Sequence, residues 1–490
     1  MKQTRLRFMD SKGLISLGLG LVLCLATACH RHPSHKKLSP EAVRQARLEW
    51  NLKTLVDVYL AIGNTNAKWD EAATNALAEF AQWHAGTDDE RPDLIIATNC
   101  ETAVQAGCDD PMVRYLYVIF AMSRTNSSED FTKAYRKMAD DMQESGYPPV
   151  RKFYASLRTA EMIKYGAGGK TPPEVHPYRH FAMTNLMELV SETNVPPTEA
   201  YDACTGLMEA LVQNKKQYEE CYHMIEGPLM SNWPDESFVW LLKGKAYIKK
   251  GWFARGGGVR DTVSADAWKA FQDDLTVAET SLEKAWELDP KDERIAIDMI
   301  RVAQGRHKSL GEMDVWFARA MAINPNSYAA CDHKLQYLYP QWYGSQKEML
   351  EFGRACVQNP DWGGKVPLIL PEVHRLIRRS IPKGAQRDAY LKQPWVWADL
   401  SAAYERYFAV NPGVTDRYYD YAWYAYQAEQ WDTFTTLVPR LGKVDYSYFG
   451  GEEVFNQMVQ SAKEHGTGKP VIKQDEPPNR NMLSNQPDAG

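Results

Sequence analysis

A proline-stopped repeat sets the tightest limit on what this 490-residue chain can fold into. The stretches "LEKAWELDP", "FARAMAINP" and "FGRACVQNP" end at Pro290, Pro325 and Pro360, two intervals of 35 residues. An alanine stands five residues before each proline (Ala285, Ala320, Ala355), and a large apolar residue three before each alanine (Leu282, Phe317, Phe352). A fourth stretch, "YERYFAVNP", keeps Asn-Pro at 411–412 but has Tyr407 and Tyr404 in those places. Apolar residues at i and i+3 mark one face of a helix, and Asp or Asn followed by Pro stops the helix and re-aims the chain. The small alanine lets a neighbouring helix come close. A two-helix unit of this size cannot bury its apolar face alone, so the copies must stack.

These residues, with Leu335 and Tyr339 in the helix before the third copy, resemble the tetratricopeptide repeat. The likeness runs from about Ser237 to Pro360 and continues more weakly to about Gly442, with about one extra residue per unit and a long loop after Gly251. Residues 251–360 are also similar to an uncharacterised bacterial family with this kind of repeat and no assigned activity. The resemblance implies an all-α solenoid of helical hairpins. It also implies a groove lined by the first helix of each unit, with His333, Tyr337 and Arg301 at matching positions.

Around this core the chain divides by pattern. Residues 1–28 read as a signal: Lys2, Arg5, Arg7 and Lys12 precede an apolar run too short for a spanning helix, which needs about 20 residues. The run ends in "LATAC", which resembles a bacterial lipoprotein signal and implies lipidation at Cys29, although Ala26 stands where leucine is usual. Residues 29–39 are then a tether, 40–230 an irregular α-helical region opened by Ser39-Pro40-Glu41, 231–463 the repeat region, and 464–490 a disordered polar tail. In the irregular region, helical runs are expected near 69–84, 111–124, 129–145, 149–164, 181–193, 198–213 and 216–226, with breaks at "GAGGKTPPEVHP" and "NWPDES". The expected address is the bacterial cell envelope, at the outer membrane or facing the periplasm, with membrane contact only through the lipid.

Outside the signal and Cys29, six cysteines form three sequence-close pairs: Cys100 with Cys108, Cys204 with Cys221, and Cys331 with Cys356. An even count in an oxidising compartment suits disulfides, and buried thiols are the alternative. The last pair lies about equally far on either side of "YGS" at 343–345, so a hairpin turn there sets the two sulfurs level.

The glycine-rich stretch "ARGGGVRD" at 254–261 invites a phosphate-binding reading. It lacks the lysine and hydroxyl of a P-loop and the strand and spacing of a dinucleotide fingerprint. It reads instead as an inter-helix loop, with a new helix starting at about Ser264. Arg255 and Arg260 remain candidate binding residues for a carboxylate or phosphate, or pair with Asp261 and Asp266.

No catalytic signature or zinc spacing occurs, and no cofactor or metal is expected. A net charge of -6 gives no general footprint for nucleic acid. "RYYDYAWYAYQAEQW" at 417–431 is aromatic on both helical faces, so it is either core or an exposed strip that Trp342, Trp362, Trp395 and Trp397 could join. The expectation is a non-catalytic, membrane-tethered scaffold that binds a protein partner in its groove. The alternatives are a carbohydrate-binding lipoprotein with an aromatic surface and an all-α glycoside-acting enzyme with paired carboxylates.

Overall fold

The computed structural model describes residues 39–86, 92–122, 128–258 and 262–468. The expected signal segment, Cys29, most of the expected tether, Arg260 and residues 469–490 lie outside the described residues. The chain is all-α, and among the described residues there is no strand.

In the N-terminal part, α1 (Pro40–Leu52) passes through a π-helical turn (Lys53–Asp57) into α2 (Val58–Ile62). Next come α3 (Asp70–Ala85), α4 (Pro92–Gln105), and α5 (Pro111–Leu116) with a π-helical extension (Tyr117–Ala121). They are followed by α6 (Ser128–Glu144), α7 (Pro149–Gly166), α8 (Val175–Ser191), α9 (Pro197–Ala210) and α10 (Lys215–Asn232). The repeats are α11 (Ser237–Arg255) with α12 (Ala265–Leu288), α13 (Glu293–Gly305) with α14 (Leu310–Ile323), and α15 (Tyr328–Tyr337) with α16 (Gln346–Gln358). The C-terminal part holds α17 (Ile369–Ser380), α18 (Ala385–Tyr390), α19 (Pro394–Val410), α20 (Tyr418–Gln427), α21 (Trp431–Leu437) and α22 (Glu452–His465).

The helix stops have one mechanism in all three 35-residue copies. Asp289, Asn324 and Asn359 each donate a backbone N–H to the carbonyl four residues back, on Ala285, Ala320 and Ala355. Each then turns its side-chain oxygen forward to accept the N–H two residues on, at 3.1, 3.0 and 2.9 Å. The side chain thus replaces the helical bond that proline cannot make. The helices after the first two stops start on Asp292 and Ser327, and the second helices α14 and α16 start on Ser309, in a reciprocal capping box with Glu312, and on Ser345.

Packing then builds the array. First helices lie on first helices, α11 on α13, α13 on α15, α15 on α17 and α17 on α19, while α11 also packs on α12 and α13 on α14. Ala285 and Ala320 are fully buried, as their spacing demands. Ala355 is exposed, and close approach in that copy falls to Gly353, where a Cβ would stand 2.9 Å from Leu370 Cδ1. The expected role of the alanine therefore holds in two copies and shifts by two residues in the third. Apolar clusters hand over along the chain, and one extends from Val150 through Leu211 and Leu229 to Leu282 and Val302, crossing position 230 without a gap.

Three local expectations need correction. Residues 92–105 form α4, so Cys100 sits on a helix and only 106–110 is loop. Helix α8 starts at Val175 because Pro177 falls in its first turn, where a missing N–H costs nothing. Helix α10 runs to Asn232 with Pro228 inside it.

Candidate functional site

The described part of the glycine loop, 256–258, folds against a cation. Arg255, the last residue of α11, stacks its guanidinium among three indoles, 5.5 Å from Trp252, 5.2 Å from Trp268 and 5.3 Å from Trp342. Its Nη1 donates to the carbonyls of Gly256 and Gly258 at 3.0 and 3.2 Å. Gly256 turns the chain at φ +73°, and Ser264 caps α12 as its position predicts. The sequence offers Arg255 as a candidate ligand-binding group; in the structure the surrounding indoles hold it as a staple between the first repeat hairpin and the turn after α15. Its expected partner Arg260 lies outside the described residues.

The row of first helices carries a continuous strip of interacting polar groups. Lys245 on α11 pairs with the buried Asp298 on α13 at 3.1 Å. Arg301, one helical turn after Asp298, faces His333 and Asp332 on α15, and its charge acts on both. Burial, with Arg301 and Lys245 nearby, pushes His333 down to about 4, so its imidazole is neutral at pH 7. His333 Nδ1 is buried without a hydrogen-bond partner. Asp332 is held above the usual carboxylate range by burial and then by Glu372 on α17, against the pull of its bond from Gln336. Glu372 itself is bound by Arg375, whose Nε donates to it at 2.6 Å. The strip continues through Tyr339 to Tyr424 on α20, both pushed up to about 12 by burial and nearby carboxylates.

Two of the three expected groove residues, Arg301 and His333, thus meet in this strip. Tyr337 does not. It is buried, donates its hydroxyl to the Lys308 carbonyl at 2.7 Å and packs on Tyr343 at 4.7 Å. It stands four residues after His333, but α15 ends there and the side chain turns into the core.

A second polar cluster had no sequence signal. His374, fully buried, lies between the Tyr390 hydroxyl (2.9 Å) and Asp399 (3.1 Å), and Asp399 takes a forked pair from Arg354. Burial holds His374 below its ordinary value. Its enclosure makes it a knot joining α16, α17, α18 and α19. The four residues span 46 positions of sequence with no common motif, so only the packing brings them together.

The aromatic block is mostly internal. Tyr421 is buried, stacks on Tyr404 at 4.8 Å and on Trp397 at 5.9 Å, and Tyr418 stacks on Phe408 at 4.2 Å. Trp342 closes the Arg255 cage, Trp362 packs edge-on to Phe317, and Trp395 packs on His374.

All six cysteines among the described residues are buried. Cys331 and Cys356 interact directly, as the hairpin argument expects, and Cys204 lies beside Cys221. In the structure these four residues are thiols, pushed up by burial, which is the alternative that the sequence leaves open. Cys100 Sγ donates to the Ala97 carbonyl within its own helix.

The model of a domain of unknown function, DUF4034, matches residues 302–359, from the last turn of α13 to the end of α16. No curated protein matches the chain. Among the described residues no helix is long and apolar enough to cross a membrane, and no group of three His, Cys, Asp or Glu residues is placed to hold a metal ion.

Proposed function

We propose that this protein is a non-catalytic scaffold, tethered to the cell envelope by a lipid on Cys29, that binds an extended segment of a protein partner along its first helices. The carrying observation is the strip from Lys245 to Tyr424. Acidic, basic and aromatic groups alternate there over four successive first helices, and His333 Nδ1 lacks a partner. Half-buried charges of both signs favour register and selectivity over raw affinity, which suits a peptide read along its length. The test is affinity purification from native membranes in mild detergent, comparing wild type with an Arg301→Glu/Arg375→Glu variant. A stoichiometric partner held by wild type and lost by the folded variant is expected. A folded, abundant wild-type bait that returns nothing contradicts the proposal.

One observation favours a second reading, a glycoside-acting enzyme. Asp332, held above the usual carboxylate range by burial and by Glu372, has the contrast of environments used by an acid and its partner carboxylate. Arg375 occupies Glu372, which opposes that role. Hydrolysis of envelope glycans that disappears in both Asp332→Asn and Glu372→Gln would establish it.

A further inference from the structure

Far from the strip, a cavity of about 180 Å³ opens between α3, α5 with its π-helical extension, and α7. It exceeds the roughly 150 Å³ apolar cavity known to admit benzene, so it has room for one aromatic ring and a small substituent. Its walls are rings set edge to face: Phe80 to Phe120 at 6.1 Å, Trp83 to Phe120 at 5.6 Å and Phe80 to Tyr115 at 6.5 Å. Such walls select a flat, apolar body.

The cavity is also lined by a cation without its own anion. Arg151 is 2% exposed, and its Nη2 donates only to neutral oxygens, Asn51 Oδ1 and Thr54 Oγ1, each at 2.7 Å. Its Nε is buried without a partner, and among the described residues no carboxylate comes within 4.0 Å of it. Glu199, the carboxylate acting on it from farther off, is already held by Arg47 at 2.9 Å and Tyr154 at 2.8 Å. A buried charge in this state is costly, and an entering anion relieves that cost. Arg158, two turns along α7 on the same face, also lines the cavity and is exposed, which places a second positive charge where a ligand enters.

The geometry points to a binding site for a single-ring aromatic carboxylate, free or as the C-terminal residue of a peptide, with its ring against Phe80, Trp83 and Phe120 and its carboxylate on Arg151. A bare phosphate or sulfate gains nothing from the aromatic walls.

The test uses the full mature chain and wild-type protein first. Titration calorimetry and Trp fluorescence compare 3-phenylpropionate with 3-phenylpropanamide, which keeps the ring and loses the charge. We expect saturable binding of the acid with a dissociation constant of about 0.01–1 mM, and at least about tenfold weaker binding of the amide. Arg158→Gln, at an exposed position, weakens the acid about two- to fivefold without altering the fold. Arg151→Met abolishes the preference for acid over amide. N-acetyl-phenylalanine separates the sources: tighter binding than phenylpropionate assigns a peptide C terminus, and weaker binding a free acid. Equal affinity for acid and amide, or no saturable binding of either by the wild-type protein, overturns the proposal.

Discussion

Replacing Arg255 with alanine tests whether the glycine loop is a staple or a ligand site. The guanidinium lies 5.2–5.5 Å from three indole centroids. At about 0.5–1 kcal/mol for each half-exposed contact, the cage contributes ~1.5–3 kcal/mol. The two bonds to Gly256 and Gly258 carbonyls and the packing of the aliphatic stem bring the expected loss to ~2–4 kcal/mol. Arg255→Lys keeps the charge but covers one ring at a time, so it costs about half as much. Because stability in a repeat array is set by each unit and its neighbours, the loss belongs to α11, α12 and the turn carrying Trp342, not to α19–α22. Guanidinium denaturation followed by Trp fluorescence gives the magnitude, and hydrogen exchange of peptides 237–288 and 338–345 gives the place. A loss below about 0.5 kcal/mol, or one spread evenly over the chain, refutes the staple.

Two further outcomes follow from the same geometry. His84 is lowered from 6.5 to about 4 by burial and by Arg151 and Arg47, against the opposing pull of Glu199. The unfolded chain therefore takes up this proton first, and stability falls as pH drops from 6.5 to about 4 and then levels, by up to ~3 kcal/mol; His84→Gln should flatten that part of a stability-against-pH curve. Cys204, Cys221, Cys331 and Cys356 are buried and their thiols are pushed up, so iodoacetamide at pH 8 should leave them unmodified in the native protein and modify all four after denaturation without reductant. Peptide mapping that finds 331 bridged to 356, or 204 to 221, contradicts the thiol state.

The repeat was legible because its signals are local. A helix stop needs only Asp or Asn before Pro, and the three side-chain turns at 289, 324 and 359 follow from two adjacent residues. The cap at Ser264 and the level sulfurs of Cys331 and Cys356 were readable for the same reason. What escaped depends on tertiary contacts. Tyr337 has the right spacing for the groove, but the Lys308 carbonyl and Tyr343 draw it inward. Arg255 looked like a free cation because two of its indoles are 13 and 87 residues away in sequence. The cavity beside Arg151 is built from three helices, none of which carries a motif.

The central claim is that the first helices form the partner-binding face. Site-specific photocrosslinking in the native envelope tests it most directly. A photoreactive residue goes at Lys249 or Gln336, near Arg301 and Asp332 on the strip, and at Glu351 on the second helix α16. The account predicts one shared adduct from positions 249 and 336, absent from 351 and lost on Arg301→Glu. An adduct from 351 alone, or adducts from all three sites that are insensitive to Arg301→Glu, would contradict it.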